Sequence, residues 1–151
     1  MADGETDSFL RGILLNVKTI AMAGASDKPH RPSFGVFEFL LSRGYHVFGV
    51  NPNLAGKSVH GTLFYGSLAE VPEPIDMVDI FRNSQAAGDT VDEALALDPR
   101  PKVIWMQLGV RNDEAAARAR ALGLKVVMDR CPAIEIRRLG IPSREPGKRP
   151  G

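Results

Sequence analysis

The chain has 151 residues, of which 44% are hydrophobic and 25% charged, a composition that is typical of one globular domain and excludes disorder as its main state. Its 19 Lys and Arg residues nearly balance its 18 Asp and Glu residues, and the net charge of +1 argues against a dedicated nucleic-acid-binding protein. The single cysteine, Cys131, excludes an internal disulfide and a structural zinc site built from cysteines.

Two features of the sequence bear on the compartment in which the protein is expected. No apolar run approaches the ~20 residues that a membrane span requires, and the N-terminus is acidic before its short apolar run, unlike a secretory signal. These features predict a cytoplasmic protein that does not bind a membrane. Residues 141–151 contain three Pro and two Gly without an apolar period, which predicts a flexible basic tail after a single domain over residues 1–140.

The first half of the chain alternates helical spacing with strand-length apolar runs. A short helix is expected from Asp7 or Ser8, a strand at 19–23, and a helix over 34–41 that stops at Gly44. A second strand at 46–50 ends at Asn51 and Pro52. The segment 59–65 fits either a short strand or an irregular crossing.

The second half repeats this alternation three times. Strands are expected at 77–81, 102–106 and 125–128, with helices over 87–95 and 112–122 and a closing helix over 134–139. Strands that are apolar on both faces and separated by helices are typical of a parallel sheet covered on two sides. The sequence therefore predicts an α/β fold in one domain, with a Rossmann-like, doubly wound parallel sheet of about five strands.

The loop after the first strand has the features of an anion site. Ligands of open parallel sheets bind beyond the carboxyl ends of the strands. Small residues there let backbone N–H groups approach a phosphate, and the following helix adds partial positive charge. We therefore predict a phosphate-binding loop, with an ordinary surface turn as the alternative. Its candidate residues are Gly24, Ala25, Ser26, Lys28, Arg31 and Ser33.

The region after the second strand argues against NAD. The first loop contains neither G-x-G-x-x-G nor a Walker A sequence. NAD-binding domains place an acidic residue after the second strand to bind the ribose 2′-OH, and this chain has Asn51, Pro52 and Asn53 there instead. We take these three residues as ligand candidates for a cofactor other than NAD.

Four further residues follow the later strands. Arg82 could form a two-pronged pair with a phosphate and Phe81 could flank a purine ring; the alternative is a core Phe and a solvated Arg. The amide of Gln107 could contact a ligand or cap a turn. Cys131 follows the last strand as a lone thiol, for which a buried, inert role is the alternative.

Five segments together resemble a known family. They are Gly24-Ala25-Ser26, Val50-Asn51-Pro52, Val78-Asp79-Ile80-Phe81-Arg82, Trp105-Met106-Gln107-Leu108-Gly109 and Asp129-Arg130-Cys131. In this order and spacing, over about residues 10–140, they resemble the small bacterial and archaeal CoA-binding proteins, which are similar to the CoA-binding domain of the succinyl-CoA synthetase alpha subunit. The resemblance implies that coenzyme A lies across the sheet edge, with its phosphates near the first loop and the region after the second strand. The residues it implicates are Gly24, Ala25, Ser26, Asn51, Pro52, Phe81 and Arg82.

No catalytic constellation is apparent in the sequence. The synthetase reaction requires further domains, the three His residues lack metal-site spacing, and Ser26 is not in a nucleophile elbow. We therefore expect non-catalytic binding of CoA or an acyl-CoA, as a carrier, sensor or regulatory partner, with no metal. The alternatives are an NAD(P)- or nucleotide-dependent oxidoreductase or epimerase on the same fold, and an interaction module without a ligand. If CoA binds, its thiol could form a mixed disulfide with Cys131 under oxidation.

Overall fold

The computed structural model describes residues 5–144. The strands are β1 Thr19–Ala23, β2 His46–Val50, β3 Ser58–Val59, β4 Thr62–Leu63, β5 Met77–Ile80, β6 Val103–Met106 and β7 Lys125–Val127. The helices are α1 Asp7–Asn16, α2 Pro32–Ser42, α3 Ser84–Leu95, α4 Asp113–Ala121 and α5 Pro132–Leu139. Two short 3-10 helices lie at Pro52–Leu54 and Leu68–Glu70.

The main sheet is parallel and confirms the predicted α/β fold. Its five strands lie in the order β2-β1-β5-β6-β7. The chain steps from β1 outward to β2, crosses back over β1 to β5, and continues through β6 to β7. The direction of winding therefore changes between β1 and β5, and this is where doubly wound sheets form a ligand crevice at their carboxyl edge.

Helices cover both faces of the sheet. The strands β1, β5 and β6 are buried along their whole length, and neighbouring side chains of one strand point to opposite faces. Trp105 packs in a cluster with α1, α2 and α5, whereas Ile104 packs in a second cluster with α3 and α4. This three-layer arrangement leaves the ends of the central strands accessible, and ligands of such sheets bind at the carboxyl ends.

Asp79 is an exception in the apolar core. It lies in the middle of β5 between Met22 of β1 and Trp105 of β6, and no part of it is exposed. Neither carboxyl oxygen has a hydrogen-bond partner within residues 5–144. Burial raises the pKa of the Asp79 carboxyl well above its ordinary value.

The helices begin in two different ways. The side chains of Thr6, Asn83 and Asn112 accept a hydrogen bond from the first turns of α1, α3 and α4. The helices α2 and α5 instead begin with Pro32 and Pro132, and the residues before them make no side-chain cap. Proline suits this position because an N–H group in the first turn has no acceptor within the helix, so the N–H that proline lacks costs no hydrogen bond.

The segment 59–65 forms part of a short antiparallel hairpin made of β3 and β4. Phe64, which is buried, lies directly against Gly49 of β2: a Cβ atom on Gly49 would come within 2.3 Å of the Phe64 ring. Tyr65 then forms a parallel bridge to Val50. The hairpin is thereby held against the end of β2.

Residues 141–144, which the sequence assigns to the tail, contact the domain. Ile141 is buried, and its carbonyl accepts a hydrogen bond from Arg43 Nη2. Arg144 donates to the carbonyls of Leu14 and Leu15 at the end of α1. The remainder of the predicted tail, 145–151, lies outside the described residues. Within the described part of the chain, no helix has the length and apolar character needed to cross a membrane.

Candidate functional site

An open cleft of about 500 Å³ lies at the carboxyl ends of β1, β2 and β5, beside the first turns of α3. Its position coincides with the change in winding direction between β1 and β5. The residues that line it are Ala23, Gly24, Val50, Asn51, Pro52, Asn53, Gly66, Phe81, Arg82, Asn83, Ala86, Thr90 and Glu93.

Gly24 brings the loop after β1 into direct contact with the residues after β5. Its φ of 85° lies in the left-handed region that favours glycine. A Cβ atom at this position would lie 2.4 Å from the Phe81 carbonyl oxygen and 2.9 Å from Cγ of Arg82. The N–H of Gly24 donates to the carbonyl of Val50 at 2.9 Å. Only glycine therefore permits this close approach of the cleft walls.

Asn51 joins the loops after β1 and β2 through its side-chain amide. Its Nδ2 donates to the carbonyl of Ala25 at 2.9 Å, and its Oδ1 accepts from the N–H of Asn53 at 2.9 Å. Ala25 itself is fully buried. Both ends of the amide are thus occupied by backbone groups, so the side chain of Asn51 positions the cleft wall and an aspartate could not replace its donor.

Serine hydroxyls shape the loop that leads into α2. Ser33 is buried and its Oγ accepts the N–H of Ser26, while Ser26 Oγ accepts the N–H of Lys28, each at 3.0 Å. These bonds curl the loop over the start of α2, whose first turn receives no side-chain cap. An uncapped helix N-terminus offers N–H groups and partial positive charge to an anion.

Arg82 supplies positive charge at the cleft. Its Nη1 donates to Thr90 Oγ1 on α3 at 3.1 Å, which leaves its other donors available. Within residues 5–144, Lys28, Arg31 and Arg82 form no ion pair with a carboxylate. Glu93, the acidic residue of the lining, accepts a hydrogen bond from the N–H of Leu68 at 2.8 Å. Asp27 on the same loop likewise forms no ion pair within the described residues, so the three cations give this side of the edge a net positive charge.

The cleft brings together half of the residues predicted from the sequence. Gly24, Asn51, Pro52, Asn53, Phe81 and Arg82 are part of its lining. Ala25, Ser26 and Ser33 lie behind it as supports of the loop, Lys28 and Arg31 are exposed on that loop, and Gln107 lies at the end of the next strand.

Seven lining residues were not predicted from the sequence. They are Ala23, Val50, Gly66, Asn83, Ala86, Thr90 and Glu93. Four of them belong to α3 or its cap, and Ala86, Thr90 and Glu93 follow one another at spacings of four and three, which place them on one helix face. That spacing is the signal that would have identified them.

The edge continues beyond the cleft to the ends of β6 and β7. The backbone N–H of Gln107 donates to the carbonyl of Ile80 at 3.2 Å. Gln107 is 5% exposed, and its Oε1 has no hydrogen-bond partner in the described part of the chain. Asp129 has a φ of 58° and accepts the N–H of Gly109 at 2.7 Å, which ties the two loops together. Cys131 is buried at the start of α5.

Comparison with known proteins identifies the family. Residues 18–137 match the family described as the CoA binding domain. The chain belongs to this family. The resemblance predicted from the five sequence segments is thereby confirmed. This CoA-binding domain is 35% identical over 122 residues to the uncharacterized protein YneT of Bacillus subtilis (strain 168), covering 81% of this chain and 87% of that protein.

Solved structures share the architecture of this CoA-binding domain. A hypothetical protein from Pyrococcus horikoshii OT3 is 38% identical with a TM-score of 0.85, covering 91% of this chain and 94% of its own. A Thermus thermophilus protein is 39% identical with a TM-score of 0.83, covering 89% and 98%. The dinucleotide-forming acetyl-coenzyme A synthetase 1 of Ca. Korarchaeum cryptofilum is 23% identical with a TM-score of 0.62 over 75% of this chain and 26% of its own, a likeness of fold alone.

Proposed function

We propose that this protein binds coenzyme A or an acyl-CoA without catalysing a reaction, at the cleft between the ends of β1, β2 and β5. The observation that carries the proposal is the position of Arg82, an arginine without a carboxylate partner among the described residues, in a cleft at the point where the winding direction changes. Membership of the CoA-binding domain family supports it.

The residues of the cleft fit the chemistry of coenzyme A. Its pyrophosphate and ribose 3′-phosphate require cations and N–H donors, which Arg82, the loop after β1 and the start of α2 supply. Phe81 and Pro52 offer apolar surfaces for the adenine ring. A dinucleotide with a free ribose 2′-OH would instead require an acidic residue after β2, where Asn51 is occupied by backbone groups.

The test is calorimetric titration of ligand-free protein with CoA, acetyl-CoA, NAD and NADP. We expect CoA to bind and NAD not to bind. Arg82→Ala should weaken CoA binding more than tenfold, about 1.4 kcal/mol. Arg120→Ala, which removes the same charge from an exposed position on α4, should leave it unchanged. Preference for NAD or NADP would contradict the proposal, as would equal CoA affinities of the two variants.

A further inference from the structure

The carboxyl edge of the sheet changes in polarity from one end to the other. At the end formed by β1 and β5, Lys28, Arg31 and Arg82 form no ion pair with a carboxylate of the described residues, and they outnumber the nearby Asp27 and Glu93. The phosphates of a ligand would bind at this end, because they require positive charge. The other end, after β6 and β7, would contact a different part of the same ligand.

Charged groups after β7 are paired within the protein. Arg130 lies 2.9 Å from Glu5 and 3.3 Å from Glu135, and the side chain of Asp129 accepts the N–H of Gly109. The backbone N–H of Arg130 also donates to the carbonyl of Met106 at 3.3 Å. This end of the edge is therefore compensated in charge, and it suits a neutral portion of a ligand.

The same end presents two large aliphatic side chains to solvent. Leu108, in the loop after β6, is 56% exposed, and Ile134, in the first turn of α5, is 47% exposed. The hydrogen bond from Gly109 to Asp129 ties the loop that carries Leu108 to the segment that leads into α5. Two of the five exposed large hydrophobic side chains of residues 5–144 therefore lie at the neutral end and would gain from being covered.

Gln107 lies between the cationic cleft and this aliphatic surface. Its backbone bonds to Ile80, next to the cleft residue Phe81. Its Oε1 is buried without a partner among residues 5–144, and an N–H donor that reaches this acceptor after a shift of the neighbouring side chains would stabilise it. The pantetheine arm of coenzyme A contains two amide N–H groups.

We infer that the ligand is an acyl thioester of coenzyme A with an aliphatic acyl chain, which rests on Leu108 and Ile134. This inference depends on the proposed function. The phosphates bind at the cationic end, an amide N–H of the pantetheine arm donates to Gln107, and the acyl chain covers the aliphatic surface. From β5 to β7 is two strand spacings, about 10 Å, which is less than the length of an extended pantetheine arm. An arm that ran from the cleft towards β2 would instead leave the sheet, because β2 is its edge strand.

The test compares the dissociation constants of CoA, acetyl-CoA and octanoyl-CoA by calorimetry, with octanoyl-CoA kept below its micelle concentration. Octanoyl-CoA should bind wild-type protein at least tenfold more tightly than CoA. In the double variant Leu108→Ser, Ile134→Ser this ratio should fall to about one while CoA affinity is kept. Leu122→Ser, which changes a leucine of similar exposure, 48%, at the end of α4, should preserve the ratio.

A second variant tests the role of Gln107. Gln107→Leu should weaken all three ligands at least fivefold and leave the ratio of octanoyl-CoA to CoA affinity unchanged, in protein whose circular dichroism matches wild type. Equal wild-type affinities for CoA and octanoyl-CoA, or a ratio that survives the double variant, would overturn the inference and leave CoA binding itself intact. Unchanged affinities in Gln107→Leu would remove Gln107 from the site. Failure of every ligand to bind would overturn the proposed function together with the inference.

Discussion

Asp79→Asn should stabilise the protein increasingly as pH rises. Asp79 is fully buried, and neither of its oxygens has a partner in the described residues. Burial raises the pKa of its carboxyl well above the ordinary value, so the folded protein retains a proton that the unfolded chain releases. The contribution of this group to the free energy of unfolding is therefore fully present below the pKa of the unfolded chain, about 3.9. It is lost as pH rises towards the raised pKa of the folded protein.

The magnitude follows from the linkage of one proton. Between the unfolded and the folded pKa of Asp79, the free energy of unfolding falls by about 1.4 kcal/mol for each pH unit. Asparagine has nearly the same shape and no proton to lose, and its unsatisfied amide costs the same at every pH. The stability difference between Asp79→Asn and wild type should thus grow by about 1.4 kcal/mol per unit above about pH 5 and become constant above the raised pKa of the folded protein.

Urea unfolding of both proteins at half-unit pH steps measures this difference. Asp89→Asn removes an exposed carboxyl from α3 and serves as the control, for which we expect no growth of the difference with pH. A difference between Asp79→Asn and wild type that stays constant with pH would refute the reasoning, because it would mean that the Asp79 carboxyl ionises equally easily in both states.

Three further substitutions test the contacts around the cleft and the end of the chain. Gly24→Ala should lower the free energy of unfolding about 1–3 kcal/mol more than Gly123→Ala does. Both glycines have positive φ, but of the two only Gly24 lacks space for a Cβ atom. Urea unfolding measures both variants, and equal losses would contradict the close approach at Gly24. Asn51→Asp should weaken CoA binding about tenfold without creating NAD affinity, since it loses the donor to Ala25; titration with both ligands decides, and NAD binding would contradict it. Arg144→Ala should lower the free energy of unfolding by about 1–3 kcal/mol, because it loses the hydrogen bonds to the end of α1. Arg120→Ala is the control and should leave it unchanged. Equal stabilities of the two variants in thermal or urea unfolding would show that these bonds are not formed.

The sequence predicted the main sheet because its strands are local apolar runs bounded by glycines such as Gly44 and Gly123. It left 59–65 undecided because that segment is held by contacts distant in sequence, above all Phe64 against Gly49. Residues 141–144 were assigned to the tail for the same reason: the bond between Arg43 and Ile141 joins positions 98 residues apart. Composition carries no signal for such contacts.

The cleft was partly predictable because residues that directly follow parallel strands meet at one edge. Asn51 and Arg82 were located by that rule. Their interactions were not, since the rule gives position and not hydrogen bonding: the amide of Asn51 bonds to backbone, and Arg82 bonds to Thr90. Thr90 lies two turns into α3. Which face of that helix points inward is known only once the helix has been placed against the sheet, so the contact with Arg82 could not be predicted.

The two bonds of the Asn51 side chain also constrain how this fold can diversify. In dinucleotide-binding domains with the Rossmann fold, the corresponding place after the second strand carries the acid that recognises the ribose. Here the same position fastens two loops, so a mutation towards that acid removes a structural bond before it gains a ligand contact. An acid can therefore be accepted at this position only after the fastening has been replaced elsewhere, and the residues open to ligand recognition depend in this way on loop structure.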